Sequence, residues 1–131
     1  MIAKGGVCIG IVYFLLMGAT FILRPESVES FGLKWINAAG QTEVRCYYGA
    51  LSWALAASLI YLLRRNLAHE AVTIILFLAS AILVARVAGT AVDGGWDDDY
   101  TRSAIPVEIV FVITSVFVWR ISRPNRSAVV E

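Results

Sequence analysis

A chain of 131 residues that is 59% hydrophobic, with a mean hydropathy of +0.74, is too apolar for an ordinary soluble domain, whose apolar share is about 45–50%. It reads as an all-α integral membrane protein. The net charge of +1 leaves no basic surface for nucleic acid, and the sequence has no zinc-type Cys/His spacing, nucleotide-binding glycine loop or low-complexity run.

The first apolar stretch lies between Lys4 and Arg24, and its 19 uncharged residues suffice to cross the hydrocarbon at about 1.5 Å each. The opening Met-Ile-Ala-Lys looks like a signal peptide, but no A-x-A-like cleavage site follows it. A retained first span over about 5–23 is therefore expected. Arg24-Pro25 ends it, because the residue before a proline is pushed out of the helical region. The connection that follows, "RPESVESFGLKWINAAGQTE", has Pro25 placed to start a short helix and Val28, Phe31 and Leu33 placed to touch an apolar surface. Two readings are open: a plain connector along the outer interface, or a lid folded over the bundle.

Span two is expected over about 43–63, span three over about 71–92 and span four over about 104–121, with an acidic connection at 93–103. Together they predict a single domain over 1–131, an antiparallel four-helix bundle. Lys4, Arg64, Arg65, Arg120, Arg123 and Arg126 then share one side. Arg24, Lys34 and Arg102 share the other with Glu26, Glu29, Asp93, Asp97, Asp98 and Asp99. The positive-inside rule puts both termini in the cytoplasm, and Trp35, Trp96 and Tyr100 suit the outer interface as Tyr61 and Trp119 suit the inner one. Cys8 and Cys46 fall near opposite ends, about 20–30 Å apart, too far for a disulfide. They are expected to be free, small buried hydrophobes.

Small residues mark where helices can approach. Gly6-x-x-x-Gly10 in span one and Ala81-x-x-x-Ala85-x-x-x-Gly89 in span three form ridges, and span two adds Gly49, Ser52, Ala56 and Ala57. These specify packing rather than function, and the Gly6/Gly10 ridge suits a dimer as well as a bundle interior.

The chemistry-bearing residues are the charges inside the spans. An arginine at the centre of a bilayer costs about 2.5–3.5 kcal/mol on insertion scales, so each one needs a partner. Glu43 and Arg45 stand at the outer mouth of span two, Arg86 lies near the outer end of span three, and Glu108 opens span four just after Pro106. All four fall in the outer third of the bundle. At helical spacing Arg45 shares a face with Tyr48, Gly49 and Ser52, and Glu108 shares one with Phe111, Val112 and Ser115. Two readings follow. One is an interhelical ion-pair network in which Glu108 and Glu43 hold Arg45 and Arg86. The other is a polar pocket opening outward, with the guanidiniums as clamps for an anion or a carbonyl. A carboxylate in the first turn of span four is also favoured by the helix macrodipole alone. Asp97-Asp98-Asp99 lacks calcium-loop spacing and reads as a solvated turn, and His69 has no second histidine for a metal or haem pair.

The chain resembles the bacterial membrane family called domain of unknown function 4345, through "EVRCYYGA" at 43–50, "ARVAGTAVDGG" at 85–95 and "VEIV" at 107–110. The resemblance implies a four-helix membrane domain with Arg45, Tyr48, Gly49, Arg86, Gly89 and Glu108 at the family's motif positions. Ala50 stands where a second glycine is expected. More distantly the layout looks like DoxX-type four-helix membrane proteins, a likeness of fold that licenses no activity.

The function expected is an accessory or binding protein of the bacterial inner membrane. Its cluster, Glu43, Arg45, Tyr48, Arg86 and Glu108, would hold a lipid-like or anionic ligand, or dock a membrane-protein partner or second copy. The alternative is a membrane enzyme or proton-coupled carrier using Glu108 with Arg45 and Arg86. No cofactor or metal is expected, catalytic residues are not identifiable, and neither a nucleophile–base set nor broken-helix repeats stand out.

Overall fold

The computed structural model of the chain describes residues 1–122; Arg123 and Arg126, counted above among the basic residues, lie outside the described residues. Among the described residues there are five α-helices and no strands: α1 (Ile2–Leu23), α2 (Ala38–Glu43), α3 (Leu51–Arg64), α4 (Ala68–Asp93) and α5 (Asp99–Ile121). A π-helix, Val44–Ala50, joins α2 to α3, so that Ala38–Arg64 is one continuous helical run. Four helical runs, Ile2–Leu23, Ala38–Arg64, Ala68–Asp93 and Asp99–Ile121, are long and apolar enough to cross a membrane. Each contains one of the segments expected from the sequence.

Two of the helical runs start earlier than the expected spans because polar residues cap them. The Asn37 side chain accepts a hydrogen bond from the Gly40 N–H at 3.0 Å and opens α2. Asp98 accepts from the Thr101 N–H at 3.2 Å and opens α5, so one member of the acidic triplet is a helix cap. Pro106, two residues into the expected span four, is inside α5, which starts earlier at Asp99. Having no N–H, it leaves the carbonyl of Arg102 without its helical donor, at a residue whose side chain is exposed. Gly94 ends α4 in the left-handed conformation, φ 75°, and its N–H returns to the Thr90 carbonyl.

α1 packs against α3 and the π-helix, α4 and α5, while α4 also packs against α3 and α5. The main core joins Val7 and Ile11 of α1 to Leu59 of α3 and to Ala71, Val72 and Ile75 of α4. At the other end of α1, Phe21, Pro25 and Val28 are fully buried. The short 3₁₀-helix Pro25–Phe31 thus folds back onto α1 through Val28, whereas Leu33 is exposed. Large apolar side chains are exposed on every long helix: Ile9 and Leu16 on α1, Leu51 and Trp53 on α3, Phe77 and Val84 on α4, and Ile113 and Phe117 on α5. So much apolar surface is foreign to a soluble monomer and natural in lipid.

The small residues divide into two groups. A Cβ on Gly10 would stand 2.9 Å from Ile75 Cδ1, and one on Gly49 would stand 2.6 Å from Ile22 Cγ1 and 3.2 Å from its backbone nitrogen. Both glycines therefore set how closely their helices approach. Gly6 meets Val118 at an ordinary 3.5 Å. The ridge expected in span three lies elsewhere: Ala81 and Ala85 are exposed, and a Cβ on Gly89 would meet only Asp93 of its own helix. Ala81 and Ala85 lie off the buried stripe of α4, which includes Ala71, Val72, Ile75 and Ala79. Cys8 and Cys46 are free, as expected, but both are exposed rather than buried.

Candidate functional site

A partly buried ion pair joins α4 to α5. Arg86 Nε donates to Glu108 Oε1 at 2.7 Å, with side-chain exposures of only 24% and 19%. Arg86 Nη2 donates to the Tyr100 hydroxyl at 3.3 Å, and its guanidinium carbon stands 5.0 Å from the centre of the Tyr100 ring. Tyr13 of α1 is close enough to Glu108 and Tyr100 to interact electrostatically with both, and its ring centre lies 6.5 Å from that of Phe111. The other carboxylate oxygen, Oε2 of Glu108, is buried and accepts no hydrogen bond from any described residue. An unmet buried acceptor costs about 1–3 kcal/mol, more when charged, and native structures keep few of them.

Because α5 starts at Asp99, Glu108 lies about 13 Å along the helix rather than in its first turn. The macrodipole is not what stabilises it; Arg86 is. The one-turn neighbours of Glu108 on α5 are Phe111 and, a second turn on, Ser115, which is buried. Both line a small crevice of about 80 Å³ between α1, α4 and α5, together with Gly6, Gly10, Ile75 and Val118.

Arg45 behaves differently. Its Nε donates to the backbone carbonyl of Ile22 at 3.2 Å, in the last turn of α1, where that helix carries no basic residue of its own. The last carbonyls of a helix lack internal donors and carry the negative end of its dipole, so Arg45 supplies both a donor and a positive charge. The π-helix helps to aim it. In a regular α-helix, steps of four residues drift about 40° around the axis. The wider π turn, in which the Leu51 N–H reaches back to the Cys46 carbonyl, reduces that drift. Arg45, Gly49 and Trp53 consequently all meet α1, at Ile22, Ile22 and Leu15. The network expected between Arg45 and the glutamates does not form: among the described residues, the ion pairs are Arg86–Glu108 and the exposed Arg102–Asp97. Glu43 is exposed at the end of α2. Since Arg45 is itself exposed, Arg45→Gln is expected to lower stability by no more than about 1 kcal/mol, measured by thermal unfolding in detergent.

Tyr48 is tied to the ion pair through rings. Its ring centre lies 5.4 Å from that of Phe21, which lies 5.7 Å from Phe31, which lies 5.2 Å from Tyr100. Phe31, at the end of the 3₁₀-helix, bridges α1 and α5. Of the five residues expected to cluster, the fold thus joins Arg86 and Glu108 directly and Tyr48 through aromatic contacts. Tyr13 and Tyr100 are additions. Neither is legible as a partner from sequence, since Tyr13 sits among apolar residues and Tyr100 suits an interfacial belt.

At the opposite end, His69 Nδ1 lies 3.1 Å from Ser122 Oγ and its ring stacks on Trp119, whose Nε1 donates to Thr73 Oγ1 at 3.0 Å. His69 is therefore packed, not free in a turn. Among the described residues no three His, Cys, Asp or Glu side chains come together as a metal site.

Four apolar helices of spanning length, enclosing an Arg–Glu pair, define the chain as a small multi-pass membrane protein. The chain belongs to the family described as a domain of unknown function, DUF4345, whose profile matches residues 2–119. No curated protein and no solved structure matches it.

Proposed function

We propose that this protein is a binding protein of the bacterial inner membrane: one domain, an antiparallel four-helix bundle with both termini cytoplasmic, that holds a lipid-like ligand at Arg86 and Glu108. The observation that carries this reading is the buried, unpartnered Oε2 of Glu108 beside a formed ion pair in an apolar bundle. A purely structural pair gains nothing from leaving an acceptor unmet, whereas a site awaiting a ligand does. Arg86 holds the carboxylate, Tyr100 accepts from Arg86, Tyr13 is near enough to interact with both Glu108 and Tyr100, and Phe31 packs on the Tyr100 ring.

Several contacts support the up-and-down arrangement. Lys4 near the start of α1 donates to Asn66 at 3.3 Å, Gly6 meets Val118, and His69 meets Ser122, so the start of α1, the 65–67 turn and the end of α5 lie together. That end carries Lys4, Arg64, Arg65 and Arg120. A fluorescent protein that matures only in the cytoplasm is expected to fluoresce when fused to the C-terminus; a dark fusion with an active periplasmic reporter at the same place would reverse the orientation.

Binding is tested by purification in mild detergent and native mass spectrometry. The wild type is expected to retain an amphiphile of defined mass, and the double variant Arg86→Met/Glu108→Leu to lose it while staying folded. Equal retention by both would place the ligand elsewhere.

A further inference from the structure

We infer that the seam between α1 and α5 seats one anionic phospholipid, from the leaflet at the basic end of the bundle, with an ester carbonyl accepting from the Ser115 hydroxyl. This site stands apart from Arg86 and Glu108 and does not rest on the reading given to them.

The chain position follows from Ser115. This residue is 7% exposed, yet its hydroxyl bonds to no described residue. Thr20, Ser52, Ser58 and Thr73 each satisfy theirs on the carbonyl four residues earlier in the same helix. Ser115 instead lines the crevice of about 80 Å³, where Val72 and Ile75 form the floor and Gly6 and Gly10 leave the α1 wall open. A buried hydroxyl is costly to leave unmet, so an occupant that brings an acceptor is favoured there. Ile9 and Thr114, on the edges of the crevice, are exposed, so it opens sideways to lipid.

The seam has the length of one leaflet. Gly6 meets Val118 and Tyr13 meets Phe111, so α1 and α5 keep step along it. One turn beyond Gly6 and Val118, Met1 to Ala3 and Ile121 with Ser122 line a second cavity, of about 350 Å³. From Ile2 to the Tyr13–Phe111 contact, which closes the far end, is about 16 Å of helix, against about 15 Å for half the hydrocarbon core. Ser115 lies one turn, about 6 Å, inside Trp119, whose indole suits the headgroup level. Glycerol ester carbonyls lie just inside that level. The head follows from charge. Among the described residues that end carries Lys4, Arg64, Arg65 and Arg120 against one carboxylate, Glu70, and none of the four cations is in an ion pair. An anionic head is therefore favoured over a zwitterionic one.

The test titrates detergent-purified, lipid-stripped protein with three lipids and counts bound copies by native mass spectrometry. The lipids are dipalmitoyl phosphatidylglycerol, its dihexadecyl ether analogue and dipalmitoyl phosphatidylcholine. One copy of the anionic diester is expected to bind about 5-fold or more tighter than phosphatidylcholine. It is expected to bind about 2- to 10-fold tighter than the ether, which lacks the carbonyl. Ser115→Ala should erase the difference between ester and ether and keep the preference for the anionic head. Gly6→Leu, which fills the crevice, should lose the lipid, and Arg86→Met/Glu108→Leu should bind it as the wild type does. Absence of either preference in the wild type, or an ester preference unchanged by Ser115→Ala, overturns the inference. So does loss of phosphatidylglycerol in Arg86→Met/Glu108→Leu with retention in Gly6→Leu, which would place the lipid at the ion pair and leave that reading standing. If Gly6→Leu does not fold, the Ser115→Ala comparison decides.

Discussion

Arg86→Met alone is expected to destabilise the protein by about 3–5 kcal/mol, and the double variant Arg86→Met/Glu108→Leu to recover most of that loss. The reason is an asymmetry of desolvation. The two groups lie largely out of solvent, 2.7 Å apart, and each makes the other's burial tolerable. Removing the guanidinium strands a carboxylate that already has one unmet oxygen among apolar helices. Removing both replaces two expensive ions with side chains the surroundings accept. Tyr100 loses a donor in either variant, but its hydroxyl is near the helix end, where water can replace it. The cycle is read by unfolding of each variant in the same detergent. Additive losses would mean that the two residues act independently, which their geometry does not allow.

The second large effect is predicted at a residue with no charge. A Cβ on Gly18 would overlap the indole ring of Trp53. That ring cannot simply withdraw, because Trp53 Nε1 donates to the Leu15 carbonyl at 3.2 Å across the α1–α3 contact. Gly18→Ala must therefore shift a rigid ring, break its hydrogen bond or part the helices. A cost of about 1–3 kcal/mol is expected from overpacking, plus the lost bond. Gly5 is the control: nothing lies within 4 Å of a Cβ there, so Gly5→Ala should be neutral or stabilising by up to about 1 kcal/mol. If both substitutions prove silent, α1 and α3 are not packed at Gly18 as described.

The span count was legible because charge is so costly in lipid that four runs nearly free of it, each long enough to cross, stand out from the charged connections. Arg86 and Glu108 were legible for the same reason: charges inside spans need partners, and these two found each other. Arg45 looked equivalent and was not. Its partner is a backbone carbonyl at the end of α1, and no sequence pattern marks a backbone acceptor on another helix. The π-helix at Val44–Ala50 was hidden likewise, since it answers to the surface of α1 rather than to local propensity. The start of α5 was expected too late because the charges at Asp99 and Arg102 lie outside the apolar run; Asp98, which caps the helix, was the better signal. The Gly18–Trp53 contact carries no motif, being one glycine against one ring. The Ala81, Ala85, Gly89 ridge carried a motif, yet Ala81 and Ala85 are exposed and a Cβ on Gly89 would meet only Asp93 of its own helix. Small-residue spacing shows where a helix can approach, while burial of the Ala71 to Ala79 stripe decides where it does.

The most direct measurement of the central claim is native mass spectrometry of the wild type and of Arg86→Met/Glu108→Leu purified in the same mild detergent. The wild type is expected to hold an amphiphile of defined mass that the folded double variant has lost. Equal retention by both, or none by either, would contradict it.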